Sequence, residues 1–235
     1  YPGHRRARSS ILMISRSLGP TPGRCAPSGG AHGSGLQLHR DDLTMSRLGI
    51  GEWDNVLMSQ WPAWATEQVH VQPPDEKWQR RGAQLCRELN AVLARWLVAP
   101  TEHVGSTAVP GLAAKPIIDV QAAVVDLDCA DSVAQVLSAA GWHLVPADLD
   151  ARPWRRFLFQ VVDEHRAAHL HLLPAGSPRW EEQVAFRDAL CADPPLMHRY
   201  ADLKRTLATQ HTADREAYTE GKADFVRRVL EEQPR

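Results

Sequence analysis

HVGSTAVPGLAAKPIIDVQAAVV, running from His103 to Val125, is the stretch whose reading decides the fold. A Gly-Ser pair, Gly105 and Ser106, closes a short apolar segment. A Pro110-Gly111 turn and Lys115-Pro116 follow, and then the apolar run Ile117, Ile118, Val120 carries a single carboxylate, Asp119. Glycine lets the backbone bend tightly and approach a ligand, and Ser106 is placed to cap a helix beginning there. Helix N-termini offer free N–H groups and partial positive charge, which suit phosphate. Gly105, Ser106 and Thr107 are therefore the candidate phosphate contacts. Asp119, on a neighbouring strand, would hold a metal against that phosphate.

Outward from this stretch the pattern is one of strands and helices in alternation. Lys115 to Val125 is apolar nearly throughout, which predicts a strand buried on both faces, next to a short strand at Glu102 to Val104. Before it, Gln68 to Gln72 alternates like a strand. A helix then runs from an Asp75 cap through Trp78, Leu85, Leu89, Trp96 and Leu97 to a stop before Pro100. After it, Asp128 to Ala140 reads as a helix capped by Gly141, and Trp142 to Val145 as a strand. Trp154 to Val162 and Ala168 to Leu173 read as an antiparallel hairpin. Three helical patterns close the chain, at Glu181 to Cys191, Pro195 to His211 and Asp214 to Glu232. The expected class is α+β (α/β-like), a mixed sheet flanked by helices.

Residues 1–44 differ from the rest. They are rich in Gly, Pro, Ser and Arg without periodicity, the composition of a disordered segment, and Met45 follows directly, so a tag remnant or upstream translation is one reading of them. Residues 45–235 form the expected folded domain, with Trp53, Trp61 and Trp64 of its first stretch packing against the body. Lys+Arg 27 against Asp+Glu 28 gives a net charge of -1, which argues against nucleic-acid and membrane-surface partners. Cys25, Cys86, Cys129 and Cys191 form no CxxC, so reduced thiols in a cytoplasmic protein are expected. No apolar run approaches the roughly 20 residues of a membrane span.

Asp119 is the strongest single site, because an acid in an apolar strand needs a cation or donors around it. Gln121 lies two residues along, on the same face about 6 to 7 Å away. A paired carboxylate there would bridge two magnesium ions; the amide of Gln121 is a weaker ligand. His169 and His171 form a second pair sharing one face, read either as metal ligands or as polar face residues. His103, at the mouth of the Gly-Ser loop, would donate to a phosphate, ligate, or serve structurally.

GSTAVPGL followed by AKPIID resembles the GrpB family of the nucleotidyltransferase superfamily, over roughly Val69 to Leu230. That resemblance implies a nucleotidyltransferase-like sheet with a C-terminal helical lobe. It also implies a Gly-Ser, then about a dozen residues on, an Asp-x-Asp or Asp-x-Glu strand. Gly105, Ser106 and Asp119 match; Gln121 replaces the second acid, and the later hairpin bearing His169 and His171 occupies about the place of the third. Lys115, Arg187, Lys204 and Lys222 match the family's basic positions, as phosphate or nucleotide contacts. The implied activity is magnesium-dependent nucleotidyl or phosphoryl transfer to a small acceptor, with Asp119, His103 and Gln121 at the centre and manganese or another divalent ion in magnesium's place as a variant. The alternative is a catalytically inactive domain of the same fold that binds a nucleotide, a small phosphorylated ligand or a protein, in keeping with the fusion of GrpB-like domains to dephospho-CoA kinase.

Overall fold

The structure, a computed structural model, describes residues 68–150 and 152–232. The segment expected to be disordered and the tryptophan-bearing stretch lie outside the described residues. In chain order the elements are α1 (Lys77–Leu93), β1 (Glu102–Val104), β2 (Ile118–Val124), α2 (Ala130–Leu137), β3 (Trp142–Leu144), α3 (Ala147–Asp150), β4 (Arg156–Val162), β5 (His165–Pro174), α4 (Pro178–Ala192), α5 (Pro194–Gln210), α6 (Arg215–Glu220) and α7 (Ala223–Glu231). The five strands make one mixed sheet in the order β1-β2-β5-β4-β3. Only the β2–β5 pairing is parallel; the other three are antiparallel. The α+β class expected from the sequence is what the chain adopts.

Side-chain alternation divides β2 between two layers. Ile118, Val120, Ala122 and Val124 enter a core with Leu158 of β4 and Leu170 and Leu172 of β5, covered by α1 and α2. Helix α1 supplies Trp78, Leu85, Leu89 and Leu93, a stripe at helical spacing. Leu93, Ile118, Leu158 and Leu170 have no exposed surface, so truncating any one to alanine should cost about 2–5 kcal/mol. This layer fixes the sheet's register and leaves Asp119 and Gln121 on the opposite face.

That opposite face meets the helical lobe. Val109 and Leu112, from the loop that follows the Gly-Ser pair, pack against Ala189 and Leu190 of α4, Leu196, Tyr200 and Ala201 of α5 and Val229 of α7. The Pro110-Gly111 turn is thus buttressed by the lobe rather than by the sheet. Among the described residues, no helix is long and apolar enough to cross a membrane.

Several local expectations are corrected. Gln68 to Gln72 is not a strand; only Gln72 makes an isolated bridge, with Ala114. Helix α1 ends at Leu93, and Leu97 instead bridges Val124 at the end of β2. The last helical pattern is divided, α6 ending at Glu220 and α7 starting at Ala223. Helix α3 was not anticipated. The Gly141 cap is present, with φ 76, and the hairpin turns through Asp163 and Glu164, both at positive φ.

Candidate functional site

Parallel pairing of β2 with β5 sets Asp119 beside His169 and Gln121 beside His171. Because the two histidines are two residues apart, both imidazoles stand on the Asp119 face. His169 Nδ1 lies 2.8 Å from Asp119 Oδ1, and His171 Nε2 lies 3.8 Å from the same oxygen. The Phe157 ring of β4 packs against both imidazoles, at 5.0 and 5.2 Å between centroids. The carboxylate keeps 30% of its side-chain surface exposed, enough for a ligand to reach it. Burial works to raise the Asp119 pKa, but the hydrogen bonds and charges of the two histidines prevail and hold it well below the usual carboxylate range. Burial also holds His169 down, to about 4, so at neutral pH the pair is an ionised acid and a neutral ring.

Two residues the sequence reading passed over complete this cluster. Arg155, just before β4, grips Asp150 at the end of α3 through Nε, at 2.8 Å, and a second nitrogen, at 2.6 Å. Its remaining terminal nitrogen donates to His171 Nδ1. Arg155 and Asp150 are 9% and 8% exposed, so the pair is desolvated and its fork geometry rigid. The result is a continuous chain Asp150–Arg155–His171–Asp119–His169. No local motif announces Arg155; only the hairpin's position beside β2 brings it within reach.

On the other side of Asp119 stands Gly105. Its φ of 71 and ψ of -169 belong to a region open essentially to glycine. A β-carbon there would lie 2.6 Å from Asp119 Oδ2, so the turn and the acid touch. The segment after it is a single 3-10 turn, Ser106–Ala108, without a side-chain cap, in place of the expected helix. Thr107 is buried: its hydroxyl donates to Ile117 O and is 3.0 Å from His103 Nε2. Since that oxygen donates its own proton onward, His103 donates to it. The other edge of the His103 ring abuts Gly82, where an added β-carbon would lie 2.1 Å from Nδ1. His103 and Thr107 are therefore structural clamps on the loop; neither the catalytic role for His103 nor the phosphate role for Thr107 fits those contacts.

Three amines gather where the lobe meets the loop before β2. Lys115 Nζ and Lys222 Nζ sit 4.7 and 4.3 Å from the centre of the Tyr218 ring, and Lys204 Nζ 5.0 Å from that of Tyr200. Tyr200 also bonds the Ser106 side chain, linking α5 to the Gly-Ser turn. Lys204 is 1% exposed and donates to Ala113 O. Burial, then the neighbouring charges of Lys222 and Arg205, pull its pKa down to about 7, against the opposing pull of Asp119. Burial pulls Lys222 down to about 8, again opposed by Asp119. Tyr218 is pushed up to about 12, by burial and by Asp119.

Two predicted site residues are not brought here. Gln121 is wholly buried, and its amide donates to Trp180 O of α4, so the lobe seals the place of a second strand acid. A two-metal arrangement does not fit this face. Arg187 is held by Glu102 at 2.8 Å, by Asp188 at 2.7 Å and by His103 O, stapling α4 to β1.

A mixed sheet with a Gly-Ser turn closed over an acid on an inner strand, and a helical lobe above that brings Lys204 and Lys222 near it, defines an α+β domain. This chain belongs to the GrpB family, whose model, described as GrpB protein, matches residues 68–232. It is 30% identical to the protein YqkA of Bacillus subtilis over 75% of this chain and 50% of that one. To a dephospho-CoA kinase of Mycolicibacterium paratuberculosis it is 29% identical, over 68% of this chain and 44% of the other. The crystal structure of GrpB from Enterococcus faecalis is similar with a TM-score of 0.61 and 26% identity, covering 69% of this chain and 96% of that one. The chain thus spans about half the length of curated relatives it matches.

Proposed function

We propose that the pocket between the Gly105 turn, Asp119 and the lobe binds the phosphate end of a nucleotide or of a comparable phosphorylated small molecule. One observation carries this reading: three amines, from Lys115, Lys204 and Lys222, gather around Tyr200 and Tyr218 with Asp119 as the nearby acid. Grouped cations in a partly desolvated site repel one another and release protons; a polyanion relieves both effects. The tyrosine faces hold the amines by cation–π attraction and keep them aimed. Ser106, tied to Tyr200, sets the turn against the same wall.

The test is calorimetric titration with a nucleoside triphosphate and with inorganic triphosphate, with and without magnesium. Binding of both, weakened at least tenfold by Lys222→Met, supports the reading. No binding of either by the folded protein overturns it.

A second reading, magnesium-dependent nucleotidyl or phosphoryl transfer, is favoured by the contact of Asp119 Oδ2 with the Gly105 turn. Asp119 would hold a single ion, which supplies charge neutralisation at the transferred phosphorus. The lysines would orient the remaining phosphate oxygens and neutralise charge there. The similarity to a dephospho-CoA kinase fits either reading, as a catalytic or an accessory module. Release of pyrophosphate or nucleoside diphosphate in the presence of candidate acceptors separates the two.

A further inference from the structure

Asp119, His169 and His171 bring one carboxylate oxygen and two ring nitrogens within 4.8 Å of one another, the outline of a transition-metal site. The hydrogen bonds around them contradict that outline. A guanidinium has donors only, so the Arg155 contact at His171 requires a lone pair on Nδ1. A neutral imidazole with its Nδ1 lone pair in use carries its proton on Nε2, the nitrogen nearer Asp119. At His169 the ionised carboxylate accepts, so Nδ1 carries the proton and the lone pair sits on Nε2. That Nε2 is buried without a hydrogen-bond partner. His171 therefore turns an N–H toward Asp119, and the one unengaged lone pair of the two rings is on His169 Nε2, not on the nitrogen that faces the carboxylate.

Ligation through His169 Nδ1 or His171 Nε2, the nitrogens that face Asp119, therefore demands a tautomer change. For His171 the change would set an N–H against the N–H of Arg155, two donors face to face. Metal-binding histidines show the reverse arrangement, their second nitrogen donating to a carboxylate or carbonyl. Asp150 prevents Arg155 from turning aside, since it occupies the other two guanidinium nitrogens.

We infer that Arg155, locked by Asp150, is a positioning residue that denies this cluster His171 as a nitrogen ligand, so that a cation beside Asp119 meets carboxylate oxygen in place of that ring. The site then selects oxygen-seeking ions such as magnesium over zinc or cobalt, whatever phosphorylated ligand the pocket takes.

Imidazole nitrogen NMR with zinc and cobalt(II) titrations, in the absence of nucleotide, tests this. In the parent protein His171 should show a bare Nδ1 and a protonated Nε2, and His169 the reverse. The His171 nitrogens should not shift with zinc, and cobalt should give no tetrahedral absorption. Arg155→Gln replaces the donor with a carbonyl that accepts from Nδ1–H, so zinc should bind at least tenfold tighter, with His171 Nε2 as ligand. The double variant Asp150→Asn with Arg155→Gln removes the stranded acid and serves if the single change unfolds the protein. A parent protein that binds zinc through His171, or a folded variant that binds it no tighter than the parent, overturns the inference.

Discussion

Gly105 and Asp119 touch: a β-carbon at position 105 would lie 2.6 Å from Asp119 Oδ2. The φ of 71 adds backbone strain for any other residue, since the L side chains rarely occupy that region. Gly105→Ala should lose about 1–3 kcal/mol of stability and push the carboxylate from the turn. Chemical denaturation and magnesium titration check this. An unchanged unfolding midpoint with unchanged magnesium affinity would show that the turn yields freely.

Gln121→Asp supplies an Asp-x-Asp pair in sequence, but not in space. The new carboxylate would be buried opposite Trp180 O in place of an amide donor, and removing a donor from a buried contact while adding a charge is costly. We expect a loss of at least about 3 kcal/mol and no gain in divalent-ion affinity. A tighter magnesium site in that variant would mean the lobe opens to expose position 121.

Stability should fall as acid is added, well before carboxylates titrate. Burial lowers His169 from 6.5 to about 4, so between those values the unfolded chain takes up a proton that the folded one refuses. The contribution of His169 is complete above its unfolded pKa and disappears as pH drops through the folded one. Asp119 adds a further loss below the ordinary carboxylate range. Thermal unfolding from pH 7 to 4 should show the decline, and His169→Gln should flatten it.

Lys204 gives the complementary trend in base. Its pKa drops from 10.5 to about 7, so across that interval the unfolded chain binds the additional proton and stability rises with pH. Lys204→Met should reduce the slope by up to about 1.4 kcal/mol per pH unit. Phosphate binding, by recharging Lys204 and Lys222, should be accompanied by proton uptake near pH 7 to 8. Calorimetry in buffers of different ionisation enthalpy measures that uptake; its absence would place the anion elsewhere.

Arg187→Ala tests the residue that the lobe withdrew from the pocket. It should loosen α4 from β1 and lower stability by roughly 1–3 kcal/mol, while leaving nucleotide affinity within about twofold. A loss of affinity without loss of stability would return Arg187 to the site.

What the sequence determined by itself is local and periodic. The apolar run with one acid could only be a central strand, because burying both faces requires it, and Ile118 and Val120 are indeed without exposure. Gly105-Ser106 followed by Asp119 marked the turn and the acid, since glycine alone takes that backbone shape. The hairpin and the Gly141 cap were legible for the same reason: each rests on a few neighbouring residues. The tertiary structure decided everything that depends on which distant groups meet. It sealed Gln121 beneath α4, turned His103 onto Gly82, and drew Arg187 to Glu102. It also brought Arg155 from beyond α3 to His171, which fixes where the protons of the histidines sit. Spacing along a chain carries no information about such pairings. They arise from the parallel docking of β5 on β2 and the packing of the lobe over the Gly-Ser loop, and there the chemistry of the site is set.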